Sequence, residues 1–363
     1  MFLAVRDIRF AKGRFALMGS VVALITLLLV MLSGLTAGLG NQSTSAIAAL
    51  PAQQIVFGAP AGGEAKASFT ESEISGKQLE AWRNRQGVSS AEALGITQTR
   101  LQSLDSTNNA AGTANVAVFG SDGGISPVAV REGEVVVGES LAKELSLIVG
   151  SRVTVGGTGM TVSAITHDEW YSHTGVVWTS RTAWQTLAHI PNGESIGTVL
   201  TVSYDAGASV DIDAANAVAG TVSATPSGSF QALGSYKSEN GSLMLMQAFL
   251  YGISALVIVA FLTVWTVQRT RDIAVLKAMG ASSGFVVRDA LVQAGIVLLA
   301  GAGLGGGLGV LGGVFAAQAA PFLVTPLTTL VPIAGIVLLG LGGAAVAVRS
   351  ITKVDPLIAL GGN

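Results

Sequence analysis

Long stretches without a charged residue alternate with charged, polar sequence along this chain. One uncharged stretch covers residues 15–39 and a second covers residues 243–268. A third begins after Asp289 and reaches Arg349, and three prolines interrupt it: Pro321, Pro326 and Pro332. About 20 apolar residues of helix cross a bilayer core of about 30 Å, so the third stretch is too long for one crossing. The pattern predicts four transmembrane helices, with a turn between the last two.

Lysine and arginine cluster at one set of span ends, and such clusters stay on the cytoplasmic side of a membrane. They precede the first span, separate the second from the third, and follow the fourth. We therefore expect a multi-pass plasma-membrane protein with both termini in the cytoplasm. The predicted order is a cytoplasmic amphipathic helix (1–14), span one (15–39), an extracytoplasmic domain (40–242), span two (243–268), a cytoplasmic coupling segment (269–289), span three (290–318), an extracytoplasmic turn (319–326), span four (327–348) and a cytoplasmic tail (349–363).

A cleaved secretory signal peptide is the alternative interpretation of the first span, because a basic start precedes the apolar run. The run is longer than the apolar part of a typical signal peptide, and three more spans follow it. We therefore favour a retained span.

The segment between the first two spans has apolar runs of period two, divided by glycine and aspartate turns, which is typical of β-strands. Other parts of it have the longer periodicity of helices. The patterns predict strands over 135–137, 153–155 and 160–165, helices over 70–86 and 139–147, and a polar loop over 105–112. The extracytoplasmic domain is therefore predicted to be α+β.

Composition agrees with a membrane protein. The chain is 50% hydrophobic and 12% charged, with a mean hydropathy of +0.60, which is too apolar for a soluble protein of 363 residues. Its formal net charge of −2 gives no reason to expect binding to nucleic acid. The absence of cysteine excludes disulfides and thiolate metal sites.

No motif for ATP hydrolysis or for another enzymatic reaction occurs in the sequence. The tetrapeptide SGKQ at 75–78 lacks the first glycine and the final hydroxyl residue of a phosphate-binding loop. The three histidines, His167, His173 and His189, have no recognised catalytic or metal-binding spacing, so we interpret them as surface or packing residues. The chain is expected to be a non-catalytic membrane subunit.

The coupling segment can form a short amphipathic helix. Three apolar residues can share one face of it: Ile273, Leu276 and Met279. Charged residues lie elsewhere: Arg271, Asp272 and Lys277. This helix could contact a cytosolic partner, or it could lie at the membrane interface and only connect two spans.

Four segments resemble the permeases related to the macrolide exporter MacB, the cell-division protein FtsX and the lipoprotein-releasing protein LolC. The segment DIAVLKAMGAS, residues 272–282, is similar to their cytoplasmic coupling segment. Residues 133–157 are similar to part of their external domain, and ITKVDPLIAL at 351–360 to their C-terminal motif. LAVRDIRFAKGRFAL at 3–17 resembles their entry helix. Within this family, the overall character of both ends of span one is most similar to heme-exporting permeases of Gram-positive bacteria, above all corynebacteria.

The resemblance implies a MacB-like, type VII ABC permease fold and a homodimer of permeases in membrane lipid. It further implies two copies of a separate cytosolic ATPase chain, which binds ATP and magnesium, and no intrinsic cofactor. The cargo would be heme, expelled by mechanotransmission, with the ATPase touching Arg271, Asp272, Leu276, Lys277 and Met279. The alternatives are an FtsX-like regulator of an external hydrolase or sensor, and an exporter of another hydrophobic compound or of lipoproteins.

If heme is the cargo, its site needs apolar walls, an iron ligand and polar contacts. The outer end of span two offers such residues at helical spacing, and Phe57 could add an aromatic wall. The predicted heme-binding set is Glu239, Met244, Met246, Tyr236, Tyr251 and Phe57. Either Glu239 or Met244 would bind the iron. In the alternative interpretation Glu239 is a solvated carboxylate at the helix start and the methionines face lipid.

Two further patterns each permit a structural or a functional interpretation. Small residues at a spacing of four allow close helix packing, or helices that slide, at Gly34, Gly38, Gly301, Gly305 and Gly309. The aromatic segment HDEWYSHTGVVW, residues 167–178, could be a lip for cargo or a corner of the domain core in which Trp170 and Trp178 are buried. We favour packing in both cases.

Overall fold

The computed structural model describes residues 12–60, 63–105, 107, 109–190, 195–268, 275 and 279–351. The chain divides into two compact units. One unit comprises Met1–Leu39 and Gly241–Asn363, and the other comprises Gly40–Asn240. We call them the helical unit and the external unit.

Four long helices are apolar and long enough to cross a membrane. They are α1 (Lys12–Ala49), α6 (Gly234–Gln268), α7 (Ser283–Ala316) and α8 (Pro326–Ile351). The prediction of four apolar helices is confirmed. Helices α1 and α6 are longer than the predicted spans, since α1 continues beyond Leu39 and α6 begins before residue 243.

The prolines act differently from one another. Pro326 is the first residue of α8, where its missing N–H costs no hydrogen bond. Pro332 is accommodated inside α8, near its start, and does not end the helix. Among the three, only Pro321 lies in the segment that separates α7 from α8.

Glycines bring α1 and α7 into close contact within the helical unit. A Cβ atom on Gly305 would lie 2.1 Å from the carbonyl oxygen of Ala23, and one on Gly301 would lie 2.8 Å from that of Gly19. A Cβ atom on Gly309 would lie 2.8 Å from the side chain of Val30. Helix α7 can approach α1 this closely because it carries no side chain at these three positions.

The same kind of contact holds the segment after α7 against α1. A Cβ atom on Gly34 would lie 2.3 Å from the ring of Phe322, and one on Gly38 would lie 2.0 Å from the carbonyl oxygen of Pro321. Leu323 N–H donates a hydrogen bond to the carbonyl oxygen of Gly34 at 3.1 Å. These two glycines therefore contact the α7–α8 connection rather than another long helix.

The external unit is built on a mostly antiparallel sheet with short helices beside it. Its strands are β1 (Gln54–Phe57), β2 (Val88–Leu104), β3 (Ala110–Gly120), β4 (Glu134–Gly138), β5 (Arg152–Val155), β6 (Thr158–Thr166), β7 (Trp170–Tyr171), β8 (Thr174–Thr179), β9 (Val199–Tyr204) and β10 (Val222–Ala224). Its helices are α2 (Gly76–Arg83), α3 (Glu139–Glu144), α4 (Arg181–Leu187) and α5 (Ile212–Ala219), followed by a 3-10 turn (Gly228–Ala232).

Strand β2 is long enough to belong to two parts of the sheet. The strand order is β10-β1-β9-β2-β3-β8-β4-β6-β5, and β2 also pairs with β5. This additional pairing closes β2, β3, β8, β4, β6 and β5 into a small barrel. Buried valines from every one of these strands fill the barrel, apart from β2, which contributes Leu101.

The predicted strands over 135–137, 153–155 and 160–165 correspond to β4, β5 and β6, so these predictions are confirmed. The predicted helices are present but shorter. Helix α2 begins only at Gly76, because Ser75 caps its N-terminus and the preceding Ile74 forms a β-bridge with Gly197. Helix α3 ends at Glu144, before Ser146, which has φ of 52°. The predicted loop is also shorter, since β3 begins at Ala110.

Candidate functional site

The turn between β7 and β8 is joined to the outer part of α1 by main-chain hydrogen bonds. Ser172 N–H donates to the carbonyl oxygen of Ser43 at 3.1 Å, and His173 N–H donates to that of Gln42 at 2.9 Å. Trp170 N–H donates to Oγ of Ser45 at 2.9 Å. We call residues 170–174 the hairpin tip. Its position against α1 is therefore set by the backbone, not only by side chains.

The side chain of His173 connects α1 and α6 within the external unit. Its Nε2 lies 3.0 Å from Oε2 of Glu239 on α6 and 3.1 Å from Oγ of Ser43 on α1. The side chains of His173 and Glu239 are 36% and 32% exposed, whereas Ser43 is buried. A second contact between the tip and α6 joins the hydroxyls of Ser172 and Ser235, 3.3 Å apart.

The hairpin tip has an unfavourable backbone conformation. Ser172 and His173 have φ of 45° and 64°, in the left-handed region that non-glycine residues rarely adopt. Such a conformation persists only where the surrounding structure enforces it. Here the hydrogen bonds to the carbonyl groups of α1 supply that constraint.

Serine, histidine and glutamate together suggest a nucleophile relay, but the geometry does not fit one. In such a relay the base receives the serine proton at one ring nitrogen and is oriented by a carboxylate at the other. Ser43 and Glu239 both approach Nε2 of His173. The arrangement therefore holds the ring in place and does not activate the hydroxyl.

Of the sequence-predicted heme-binding residues, Glu239 and Tyr236 lie in the external unit close to this tip. The ring of Tyr236 packs edge to face on Phe230, with ring centroids 5.8 Å apart. A Cβ atom on Gly40 of α1 would lie 3.6 Å from the same ring. Tyr236 thus also helps to fix the outer ends of α1 and α6.

The hypothesis that Phe57 forms an aromatic wall for cargo is wrong. Phe57 is fully buried in the core of the external unit, where its ring packs on Phe69 with centroids 5.0 Å apart. A ring in that position has no free face for a ligand. The sequence could not distinguish a wall from a core residue, because both are aromatic and lie soon after a span.

The remaining predicted heme-binding residues lie on α6 in the helical unit. Met244 and Met246 are exposed on the surface of that unit. Tyr251 is partly buried, and a Cβ atom on Gly335 of α8 would lie 2.9 Å from its ring. The two methionines are therefore accessible to a ligand or to lipid, while Tyr251 contributes to helix packing.

Part of the aromatic segment 167–178 lies in the core of the external unit, most clearly Trp178. That residue is buried, and its Nε1–H donates a hydrogen bond to Oε2 of Glu169 at 2.8 Å. Tyr171 is also buried, and burial raises the pKa of its hydroxyl well above the ordinary value. Trp170 is only half-buried and lines a surface cavity of about 410 Å³ together with His173.

Most residues proposed to contact an ATPase lie outside the described part of the chain: Arg271, Asp272, Leu276 and Lys277. Met279 is described and is exposed in the turn that precedes α7. Its position leaves it accessible to a partner.

Sequence reasoning missed the role of His173 and Ser43. The two residues are 130 positions apart, and no spacing rule connects them. The only local sign was a histidine within the aromatic segment 167–178. Within the described residues, no group of three or more histidine, cysteine or carboxylate side chains could hold a bare metal ion.

Two family models match the chain. Residues 15–222 match the MacB-like periplasmic core domain, and residues 244–356 match the FtsX-like permease C-terminal domain. The first match alone covers more than half of the 363 residues.

Curated relatives match over the full length. A protein of Staphylococcus epidermidis, described as a "Putative hemin transport system permease protein HrtB", is 22% identical over 380 residues, which cover 100% of both chains. A protein of the same description from Staphylococcus haemolyticus is 24% identical over 373 residues, covering 100% of this chain and 99% of the relative.

Two solved structures resemble part of the chain. The extracellular domain of the noncanonic ABC-type transporter YknZ from Gram-positive bacteria covers 47% of this chain and 98% of its own, with a TM-score of 0.34 and 12% identity. The periplasmic region of MacB from Actinobacillus actinomycetemcomitans covers 50% of this chain and 92% of its own, with a TM-score of 0.35 and 11% identity.

Proposed function

This chain belongs to the MacB/FtsX family of ABC-transporter permeases, and we propose that it exports heme from the membrane as the permease of an ATP-driven efflux transporter. The observation that carries the proposal is the full-length similarity to permeases described as hemin transport proteins. Similarity over both the external domain and the spans supports a shared function better than a match to one domain alone.

A permease of this family implies a separate ATPase partner. We propose two copies of that ATPase, with their ATP and magnesium, acting on a homodimer of this chain whose termini are cytoplasmic. ATP-driven closure of the ATPases would press on residues 269–289, with Met279 exposed at the contact. Helices α1 and α6 would transmit the motion outward, because each continues without interruption into the external unit.

The heme site is proposed at the outer part of α6. Heme needs polar contacts for its propionates and apolar contacts for its ring. Within the external unit, His173 of the hairpin tip contacts Glu239, and the ring of Tyr236 packs on Phe230. Within the helical unit, Met244 and Met246 are exposed. Glu239 or Met244 is the iron ligand that the sequence suggests, and Tyr251 supports the helix from within the helical unit.

The first test is a titration of the purified full-length chain with ferric heme in lipid nanodiscs, followed at the Soret band. We expect a saturable shift for the unmodified chain and weaker binding for Glu239→Ala. Glu132→Ala is the matched control, since Glu132 is an exposed carboxylate of the same unit. An unmodified chain that shows no saturable shift would contradict heme as the cargo.

A cellular test separates export from regulation. A strain without this chain should become sensitive to added hemin and should accumulate heme in its membrane, and the intact gene should reverse both effects. If deletion instead alters only cell-wall hydrolysis or signalling, and heme content is unchanged, the chain is a regulator of the FtsX type and export is refuted.

A further inference from the structure

An apolar groove of about 340 Å³ lies between α1 and α6 within the helical unit. Its floor is formed by the buried Met18, Val22 and Ile258, and its rim by the exposed Val257 and Val264. The other lining residues are apolar as well: Val21, Ala260 and Phe261. Both helices are apolar and long enough to cross a membrane, so a groove with this lining is open to hydrocarbon.

The dimensions of the groove fit part of a lipid acyl chain. Its lining extends from Met18 to Val22 on α1 and from Val257 to Val264 on α6. At a rise of about 1.5 Å per residue, the longer of these two segments covers about 10 Å along the helix. One leaflet contributes about 15 Å to the hydrocarbon core, so the groove lies within a single leaflet.

An aromatic pair marks the end of the groove that is nearest to the membrane surface. The rings of Phe15 and Trp265 pack edge to face, with centroids 5.8 Å apart. Phe15 is the first residue of one apolar span, and Trp265 is the last residue of the other. Tryptophan is enriched at the level of the lipid headgroups. The groove therefore extends from the headgroup level into the bilayer.

Basic residues lie just beyond this aromatic pair at the ends of both helices. Lys12 is exposed in the first turn of α1, three residues before Phe15. In the sequence Arg14 directly precedes Phe15, and Arg269 follows Trp265 by four residues. No aspartate or glutamate occurs at residues 8–63 or 240–271, so no carboxylate of these segments offsets the positive charge. Basic sites between transmembrane helices on the cytoplasmic side bind anionic lipid headgroups.

We propose that the groove binds an acyl chain of an anionic phospholipid from the cytoplasmic leaflet, whose headgroup lies at Lys12. This inference goes beyond the proposed function and takes from it only the cytoplasmic position of the start of α1. Because the acyl chain lies against both α1 and α6, the lipid would resist a change in the separation of these two helices. A zwitterionic lipid matches the apolar lining equally well but not the positive charge.

The experiment uses the fluorescence of Trp265, because bromine atoms on an acyl chain quench a tryptophan that they contact. The full-length chain is reconstituted into mixtures of phosphatidylglycerol and phosphatidylcholine in which only one of the two lipids is brominated. Comparing the two series gives the relative affinity of the groove for the two lipids. The chain has four other tryptophans, all in the external unit: Trp82, Trp170, Trp178 and Trp184. The variant Trp265→Phe measures their share of the signal.

Two variants, each with a matched control, separate the headgroup contact from the groove. Lys12→Ala removes the charge at the headgroup, and its control is Lys77→Ala, an exposed lysine of the external unit. Ala260→Phe fills the groove, and its control is Ala300→Phe, an exposed alanine of α7 that does not line the groove. Thermal unfolding of each variant shows that it is folded.

We expect brominated phosphatidylglycerol to quench Trp265 more strongly than brominated phosphatidylcholine at the same mole fraction. Lys12→Ala should lower this preference by up to about fivefold, which is the contribution of one basic residue at an anionic membrane surface. Ala260→Phe should weaken quenching by both lipids. The controls Lys77→Ala and Ala300→Phe should behave as the unmodified chain does.

Three results would overturn the proposal. The first is equal quenching by the two lipids in the unmodified chain. The second is unchanged quenching in Lys12→Ala or in Ala260→Phe. The third is the absence of quenching by either lipid, which would show that protein, such as a second copy of this chain, covers the groove. None of these measurements involves heme, so a negative result here leaves the heme titration as the separate test of the export function.

Discussion

Gly305→Ala should weaken the packing of α7 on α1, because the added methyl group meets a main-chain atom. The Cβ atom would lie 2.1 Å from the carbonyl oxygen of Ala23, and the backbone of Ala23 cannot rotate away as a side chain could. Ordinary contact begins at 3.4 Å, so the Cβ atom and this oxygen would have to move apart by about 1.3 Å (3.4 minus 2.1). That movement would also loosen the contacts at Gly301 and Gly309. Overpacking of this kind costs about 1–3 kcal/mol.

The matched controls are Gly303→Ala and Gly307→Ala. Both positions lie on the same helix, and a Cβ atom at either would meet nothing within 4 Å. Alanine is favoured over glycine inside a helix by about 0.8–1 kcal/mol, so these variants should be neutral or slightly more stable. The gain in helix propensity is the same in all three variants, so a difference in stability between Gly305→Ala and the controls reports the contact with Ala23.

Stability would be measured by thermal and denaturant unfolding of the full-length chain in one detergent. We expect Gly305→Ala to unfold at a lower temperature than the unmodified chain, and the two controls to unfold at the same or a higher temperature. If Gly305→Ala proved as stable as Gly307→Ala, the close approach of α7 to α1 would be refuted.

Two further predictions concern the external unit. Gly95→Ala should destabilise the external unit by about 1–3 kcal/mol, because the Cβ atom would lie 2.0 Å from the ring of Trp184. The control is Gly159→Ala, whose Cβ atom would meet nothing within 4 Å. Equal unfolding temperatures of the two variants would contradict this packing. Burial raises the pKa of the Tyr171 phenol in the folded state. Above about pH 10 the phenol of the unfolded chain ionises, while that of the folded chain stays neutral. The free energy of unfolding therefore falls as the pH rises above about 10. Tyr171→Phe should therefore reduce the loss of stability in alkaline unfolding, and an unchanged pH profile would refute the assignment.

Local patterns were sufficient to predict the elements whose environment is simple. The three uncharged stretches, the last of them interrupted by prolines, predicted four long apolar helices, because a chain in lipid must satisfy its backbone within each helix. Runs of valine predicted β4 and β5. The valines alternate in β5, whereas β4 has three in succession, of which Val135 and Val137 fill the barrel and Val136 packs in the neighbouring core. The apolar pattern of a segment is enough to predict its secondary structure when the surroundings of that segment alone determine which of its residues are apolar.

Element ends were predicted less well, because long-range contacts determine them. Residues before Gly76 have a helical pattern, but Ile74 pairs with Gly197, which lies far away in the sequence. Pro332 was expected to interrupt the apolar stretch, and α8 accommodates it near its start. The bridge between Ile74 and Gly197 thus overrode the helical preference of the residues before Gly76. Pro332 is tolerated because it lies near the start of α8.

The sequence by itself determined that this protein has four apolar helices, a polar domain between the first two, and the motifs of a permease family. These follow from hydropathy, charge and short local patterns, which act over a few residues. Only the tertiary structure decided that Phe57 is buried in a core and that His173 meets both Glu239 and Ser43. The candidate site depends on side chains more than 60 residues apart, and their distances are set by the folded sheet and helices.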